Sequence, residues 1–415
     1  MSEKNNELPN SVEGKEYKNK NIKAKLLSSQ RITTLDLARI LAMITMIMGH
    51  SLDAIATPAE LDISQFPWNI WHYIRRFTAP IFLTVSGAVH VFANKRDENG
   101  RLQRKTIIRR VNIAVILSVI GYLFMFPAYS FFDAFFIEAK LWRPFFQVNI
   151  LQLIGFSLLF VLLLFLITKK DKTLGIVSFS LAVIITISSP FIHSINWFNY
   201  LPEFFAAYLS TEHGSMFPVF PYTGFMLYGV AFGIILKIMD PEKRTKFLIW
   251  AGVPIGLVFL IPSFFLTDFF KYEMAFKVLD KVNPGIILNQ IGVVFIVLAF
   301  AGVTYTYTKK ISFYYAFFGK NALFIYVAHL IFLFGSGWFP SIARLYPKQI
   351  HILPSILISI IIVLLTLGTA YFYEFTINKF PNARKYYKYA FYIILVYFLI
   401  IGTLAQLIYQ ELFAG

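Results

Sequence analysis

The first apolar stretch of the chain carries three ionisable residues that a lipid bilayer disfavours. The segment TTLDLARILAMITMIMGHS, residues 33–51, contains Asp36, Arg39 and His50. In a continuous α-helix His50 lies roughly 21 Å along the axis from Asp36 but only about 40° around it, and Arg39 is within about 20° of His50. Ionisable groups inside a bilayer usually line a cavity or a pathway. We therefore expect Asp36, Arg39 and His50 to form a polar stripe along one face of the helix that has a function. The alternative places Asp36 and Arg39 at one membrane interface and His50 at the other.

A second polar-bearing helix is predicted late in the chain, at FFGKNALFIYVAHLIFLF. It contains Lys320, Asn321 and His329. On one helix Asn321 is about 80° from His329 around the axis and Lys320 about 180°, so Asn321 is the better candidate to share a cavity with His329 unless Gly319 breaks the helix. The ordinary pKa of imidazole, about 6.5, suits His50 or His329 to proton transfer at neutral pH. His329 is therefore a site residue or a buried structural donor.

Basic residues mark both sides of the second apolar run. Arg75 and Arg76 precede FTAPIFLTVSGAVH, close to the level of His50, where a guanidinium beside an anionic or hydroxylated ligand would be useful. Arg76 directly precedes the FTAP turn and has the better claim, although both could snorkel to the interface. The following loop, NKRDENGRLQRKTIIRR, is dense in cations that could grip phosphates or attract anionic lipids. These cations include Arg104, Lys105, Arg109 and Arg110.

Composition restricts the fold class. The chain is 57% hydrophobic and 14% charged, with 46 Phe and 23 Tyr, and its mean hydropathy is +0.64. These values predict an all-α polytopic membrane protein. The net charge of +16 falls in short clusters between apolar runs, so we expect no nucleic-acid partner. The absence of cysteine excludes thiolate nucleophiles and Cys-ligated metals.

Apolar runs predict eleven spans, near 34–52, 77–94, 111–127, 149–168, 173–192, 219–239, 247–266, 285–308, 313–334, 353–375 and 390–410. Alternate loops hold 27 Lys and Arg residues, and the loops between them hold 9. This bias predicts a cytoplasmic N-terminus, an extracytoplasmic C-terminus and a plasma-membrane location. Residues 1–30 are predicted to be a disordered basic cytoplasmic tail without a signal peptide, and 31–415 a single transmembrane domain.

Six blocks in order resemble the membrane catalytic domain of the heparan-α-glucosaminide N-acetyltransferase family, in its bacterial branch, over roughly residues 31–375. They are TLDLARILAMITMIMGH, RRFTAPIFLTVSG, RKTIIRR, NILQLIG, FPVFPYTGFMLYGVAFG and FGKNALFIYVAHLIF. An Asp followed by His fourteen residues later, with R-F-x-x-P-x-F-x-x-x-S-G, is also the pattern of the broader acyltransferase-three family. In the family Arg-Gly commonly follows the first-helix Asp, whereas here Ile40 follows Arg39.

The resemblance implies a transmembrane acetyltransferase that takes acetyl-CoA from the cytoplasm and acetylates an amine or hydroxyl of an extracytoplasmic glycan or amino sugar. On this analogy Asp36, Arg39 and His50 match the first-helix pattern, and Asn321, Tyr326 and His329 match the late-helix pattern. Gln152 matches the L-Q-x-x-G block.

The implied roles divide these residues into three groups. His50, with His329, Asn321 and Asp36, would be catalytic. Substrate-binding residues would be Arg76, Tyr326 and Gln152. The donor's phosphates would be held by Arg39 and the loop cations, which are Arg104, Lys105, Arg109 and Arg110.

Two other function classes stay open on sequence grounds. A transporter of small solutes or lipid-linked sugars would also use buried His, Asp and Arg, although no internal repeat is visible. The second class, a non-catalytic scaffold, would not explain why these two helices carry polar residues within apolar runs. We expect acetyl-CoA, a glycan and membrane lipids as partners, with a homodimer left open, and no metal, because no carboxylates stand at ligand spacing beside the histidines.

Overall fold

The computed structural model describes residues 31–128, 131, 133–274, 278–335 and 341–400. Within these ranges the chain is almost entirely helical, with only two isolated β-bridges. The predicted tail 1–30 lies outside the described residues. The principal helices are α1 Thr33–Ile55, α2 Trp68–Arg75, α3 Thr78–Ala93, α4 Arg104–Phe124, α5 Ile150–Ile167, α6 Asp171–His193, α7 Glu203–Leu209, α8 Val219–Ile238, α9 Pro241–Asp268, α10 Pro284–Thr308, α11 Ser312–Lys320, α12 Ala322–Phe334, α13 Ile352–Lys379 and α14 Ala383–Ile400.

Nine helical segments among the described residues are long and apolar enough to cross a membrane. They begin with α1 and end with α13, and α2 and α3 together form one of them, Trp68–Ala93. The predicted all-α, multi-pass class is confirmed. A helical span is the expected solution in lipid because it satisfies every backbone hydrogen bond within one segment.

The predicted count of eleven spans is not confirmed. The predicted span 313–334 is two helices that meet at Asn321, and its first part, α11, continues the segment Pro284–Lys320. The second part, α12, has 13 residues and is shorter than a full crossing. The predicted span 390–410 extends past residue 400, so part of it lies outside the described residues.

Helix α8 occupies the centre of the bundle and is the most buried of the nine segments. It packs most extensively against α3 and α6, while α9 pairs with α10 and α4 with α5. Helix α1 contacts α3, α10, α11, α12 and α13. Both histidines of interest therefore lie on helices that are surrounded by other helices, and α1 is positioned by partners from both halves of the chain.

Small residues permit the close crossing of α3 and α8. A Cβ at Gly229 would overlap the backbone carbonyl of Thr84, and one at Gly233 would overlap the carbonyl of Ala88. Without a hydrophobic drive between helices inside lipid, such close backbone contact supplies much of the packing energy. The G-x-x-x-G spacing of Gly229 and Gly233 thus holds α8 against the helix that follows Arg76.

We expect Gly229→Ala to destabilise the protein by about 2 kcal/mol, because the added methyl group forces the two backbones apart. Thermal unfolding in detergent measures this change. Gly368→Ala is the matched control: nothing lies within 4 Å of a Cβ at that position, so the same substitution should be neutral or slightly stabilising in a helix. Equal melting temperatures for the two variants would contradict the close crossing.

Candidate active site

The two predicted histidines meet in the structure. Helix α1 places His50 near its C-terminal end, and α12 places His329 beside it. Their rings stack with centroids 5.8 Å apart and an interplanar angle of 12°. The ring of Tyr326 lies edge-on to His329 at 5.0 Å. Three residues that the sequence placed on two separate helices therefore form one cluster.

A cavity of about 950 Å³ adjoins this cluster. Four of the predicted site residues line it: His50, Arg76, Gln152 and Tyr326. A cavity of this size is at the upper end of those that hold small-molecule substrates. The other polar residues in its wall are His72, Arg75, Thr78, Asn149, Tyr222, Asp280, Lys281, Gln290 and Arg344.

His50 and His329 differ in access to the cavity. His50 is half-buried and lines the cavity, whereas His329 is 0% exposed and stands behind it. Neither ring nitrogen of His329 has a partner with hydrogen-bond geometry among the described residues, although the backbone of Ile325 and Tyr326 lies nearby. His50 is therefore the imidazole that a substrate can reach, and His329 supports its ring.

Tyr326 is a buried residue of the cavity wall. Its side chain is 8% exposed, it lines the cavity, and its hydroxyl has no hydrogen-bond partner within the described ranges. A phenol that is buried without an intramolecular partner can donate its proton to a ligand oxygen. Tyr326 and His50 both contact His329, so this donor lies in the same part of the wall as the accessible imidazole.

Arg75 and Arg76 have different environments. The two terminal guanidinium nitrogens of Arg75, Nη1 and Nη2, donate to the carboxylate of Asp53, which lies one turn beyond His50 on α1. This ion pair joins α1 to α2. Arg76 is exposed, lines the cavity and makes no ion pair in the described part of the chain. Arg76 is thus the arginine of this pair that is available to a ligand.

Gln152 lies at the start of α5 and is among the residues of the cavity wall. It is 0% exposed, and its Oε1 accepts the backbone N–H of Asn149 at 3.3 Å, part of a capping box. Its Nε2 has no partner among the described residues. The capping bond therefore fixes the orientation of the amide.

The polar residues at the start of α1 lie apart from the cavity. Asp36 accepts from Arg31 Nε at 2.7 Å, and Arg31 also donates to the Ala316 carbonyl at 2.7 Å. Arg39 donates to the Gly319 carbonyl at 3.2 Å, with its guanidinium carbon 5.7 Å from the ring centre of Phe82. Neither Asp36 nor Arg39 lines the cavity; both attach α1 to its neighbours.

Asn321 also lies outside the cavity wall. It ends α11 and precedes α12, and its Nδ2 donates to the Phe317 carbonyl at 3.1 Å. The angular argument required one continuous helix, and it does not apply because the helix is interrupted at Asn321. Lys320 forms an ion pair with Glu374 at 2.7 Å. Gly319 and Asn321 are typical helix-ending residues, and this signal was present in the sequence.

The four basic residues predicted to bind the donor's phosphates do not line the cavity. Arg104, Lys105 and Arg109 are exposed at the start of α4. Arg110 donates to Asn94 Oδ1 at 2.8 Å and to the Ala93 carbonyl at 3.0 Å. Arg110 therefore satisfies the C-terminal end of α3, while the other three form no ion pair within the described ranges.

Comparison with protein families supplies the deciding observation. A model described as heparan-alpha-glucosaminide N-acetyltransferase, catalytic, matches residues 31–262. The chain belongs to this family. The match includes His50, Arg76 and Gln152 but ends before Tyr326 and His329, so it is shorter than the resemblance expected from the sequence. No curated protein matches the chain.

Family membership makes the chain an acetyltransferase, and the nine apolar segments found among its described residues indicate a multi-pass membrane protein. Sequence reasoning missed several residues of the cavity wall. Gln290 is a polar residue within an apolar span and could have been found on that ground. Lys281 and Arg344 lie in connections between helices, where no periodicity marks a cavity-lining position.

Proposed function

We propose that the protein transfers an acetyl group from cytoplasmic acetyl-CoA to an amine or hydroxyl of an extracytoplasmic sugar, at the cavity next to His50. The observation that carries this proposal is the accessible imidazole of His50 in the wall of a cavity of about 950 Å³, in a membrane acetyltransferase. The charge bias of the loops supports a cytoplasmic location for the Asp36 end of α1 and an extracytoplasmic location for the His50 end.

In this proposal His50 acts as the general base. The acceptor nitrogen or oxygen forms a bond to the acetyl carbon while His50 takes its proton, the carbon–sulfur bond breaks, and the thiolate of coenzyme A receives that proton. An acetyl group carried briefly on the His50 ring is the alternative route. In either route the thioester oxygen gains negative charge and needs a hydrogen-bond donor.

Tyr326 is the donor that the cavity wall favours for this charge. Tyr326 lines the cavity, whereas Asn321 and His329, which the resemblance also implies to be catalytic, do not. His329 would hold the His50 ring in place by stacking. Asp36 and Arg39 would act indirectly, because their bonds to Arg31 and Gly319 fix α1, the helix that carries His50.

The donor's phosphates would bind at the exposed cations at the start of α4. Arg104, Lys105 and Arg109 have no ion-pair partners among the described residues, and guanidinium and ammonium groups are the usual ligands of phosphate. These side chains lie at the proposed cytoplasmic end, where acetyl-CoA is available.

Binding of acetyl-CoA separates this function from the transporter. We expect saturating acetyl-CoA to raise the melting temperature in detergent, because a ligand at about 100 times its Kd stabilises a protein by about 2.7 kcal/mol. The double variant Arg104→Gln with Arg109→Gln should reduce the shift. Lys170→Gln with Lys172→Gln, exposed cations of another predicted cytoplasmic loop, is the matched control. A wild-type protein that shows no shift would favour transport.

A further inference from the structure

A second cavity, of about 470 Å³, lies where α8 ends and α9 begins, and we call it the α8–α9 cavity. Its wall combines two lysines and a carboxylate with apolar and aromatic side chains. These residues include Ile238, Asp240, Lys243, Lys246, Phe247 and Trp250. None of them lines the cavity beside His50. The proposed function therefore leaves the α8–α9 cavity without a role.

The polar part of this wall carries a net positive charge. Lys243 Nζ pairs with the carboxylate of Asp240 at 2.8 Å, so these two charges neutralise each other. Lys246 is exposed and forms no ion pair in the part of the chain that the structure describes. Glu242 is also exposed but does not line the cavity. One unneutralised cation is left in the wall, and an anionic group could pair with it.

Trp250 is a large aromatic side chain that the rest of the protein leaves uncovered. It is 80% exposed, and it follows Lys246 by one turn of α9, so the two side chains lie on the same side of the helix. Tryptophan is enriched at the boundary between lipid headgroups and acyl chains, because its ring is apolar and its indole N–H is polar. The wall therefore places a free cation beside an interfacial aromatic group.

The face of α9 that carries Trp250 continues as an apolar surface. Leu257, Ile261 and Phe264 are all exposed, and each lies within about 40° of Trp250 around the helix axis. The opposite face is the packed one. A Cβ at Gly252, which is about 160° from Trp250, would come within 2.8 Å of the backbone of α10. Trp250 thus stands at one end of a face that turns away from the protein.

The length of this apolar face matches one leaflet of a bilayer. Ile261 lies about 16 Å along α9 from Trp250. A hydrocarbon core of about 30 Å gives each leaflet about 15 Å. A lipid whose headgroup lies beside Lys246 could therefore extend one acyl chain past Leu257 as far as Ile261.

We propose that the α8–α9 cavity binds an anionic phospholipid of the cytoplasmic leaflet. Its phosphate pairs with Lys246, its glycerol region lies against Trp250, and an acyl chain follows the exposed face of α9. The distribution of basic residues among the loops predicts a cytoplasmic location for residues 237–246, and anionic lipids are concentrated in that leaflet. The nucleotide end of acetyl-CoA offers the same phosphate chemistry, but it has no acyl chain to cover the apolar face.

Quenching of tryptophan fluorescence by brominated lipids tests the proposal on the full chain in nanodiscs. The chain has six Trp residues, so the signal of Trp250 is the difference between the wild type and Trp250→Phe. We expect brominated phosphatidylglycerol to compete for this position about fivefold better than brominated phosphatidylcholine. One basic residue near an anionic surface contributes about that factor.

The variants test whether Lys246 causes this preference for the anionic lipid. Lys246→Gln should abolish the preference, whereas Lys246→Arg should retain it. Lys310→Gln is the matched control, because Lys310 is exposed, belongs to another predicted cytoplasmic loop and does not line the α8–α9 cavity. High salt should also reduce the preference of the wild type, since it screens exposed charges. Melting temperatures confirm that each variant is folded.

Three results would overturn the lipid site. Equal competition by the two lipids would show only ordinary contact with the bilayer. An equal loss of preference in Lys310→Gln would show only the general charge of that membrane face. Relief of the quenching by coenzyme A would assign the α8–α9 cavity to the acetyl donor instead. The measurement needs no acetyl transfer, so its failure would leave the proposed function untouched.

Discussion

Replacing His50 with alanine is expected to lower acetyl transfer to amino-sugar acceptors at least about 100-fold, because a positioned general base contributes roughly that factor or more. If the ring carries the acetyl group, the loss is larger still. The assay is transfer of labelled acetyl from acetyl-CoA by purified protein. His50→Gln should show the same loss, since it keeps much of the side-chain volume but has no imidazole.

The control for this prediction is another partly buried histidine. His213 is paired with Glu203 at 2.7 Å and stacked on Phe198, and it does not line the cavity. His213→Ala should therefore leave kcat within about twofold of wild type. Wild-type transfer by a folded His50→Ala protein would remove His50 from the mechanism.

Replacing Tyr326 with phenylalanine is expected to lower kcat by about 100-fold, with little change in the KM for acetyl-CoA. The ring and its contact with His329 at 5.0 Å remain, and only the hydroxyl is lost. One good donor to the developing oxyanion contributes about 3 kcal/mol to transition-state stabilisation. Steady-state kinetics on the purified variant measure both constants.

Tyr228→Phe provides the matched substitution. Tyr228 is also buried, on α8, and its hydroxyl is 3.3 Å from Thr186 Oγ1, away from the cavity wall. Its loss should reduce stability by about 1 kcal/mol and leave kcat unchanged. An unchanged kcat in Tyr326→Phe, with a large loss in an Asn321→Ala variant, would assign the oxyanion role to Asn321 instead.

Much of α1 was predictable from the sequence. Its hydrophobic run and the spacing of Asp36, Arg39 and His50 predicted a buried helix with a polar face, and the structure places a helix at Thr33–Ile55 with Asp36 and Arg39 buried. Periodicity specifies which face of a helix is polar. It does not specify which neighbour meets that face, so it could not reveal that Arg39 bonds to α11, that Asp36 bonds to Arg31, or that His50 meets α12.

The late helix was predicted less well because tertiary structure divides it. A continuous run of apolar residues does not show where a helix is interrupted. The angle calculated between Asn321 and His329 applies only if one helix carries both residues. The contact between His50 and His329 depends on how α1 and α12 pack, which no local pattern encodes. The cations Lys281 and Arg344 lie in connecting segments. The position of a side chain in such a segment depends on how the surrounding helices pack.

A structure with coenzyme A bound would test the site most directly. The proposed mechanism predicts that the sulfur atom lies in the cavity within reach of His50, roughly 3–4 Å from its ring, with the phosphates at the start of α4 near Arg104 and Arg109. A sulfur atom directed at the Asp36 end of α1, or held far from the cavity that His50 lines, would contradict acetyl transfer at His50.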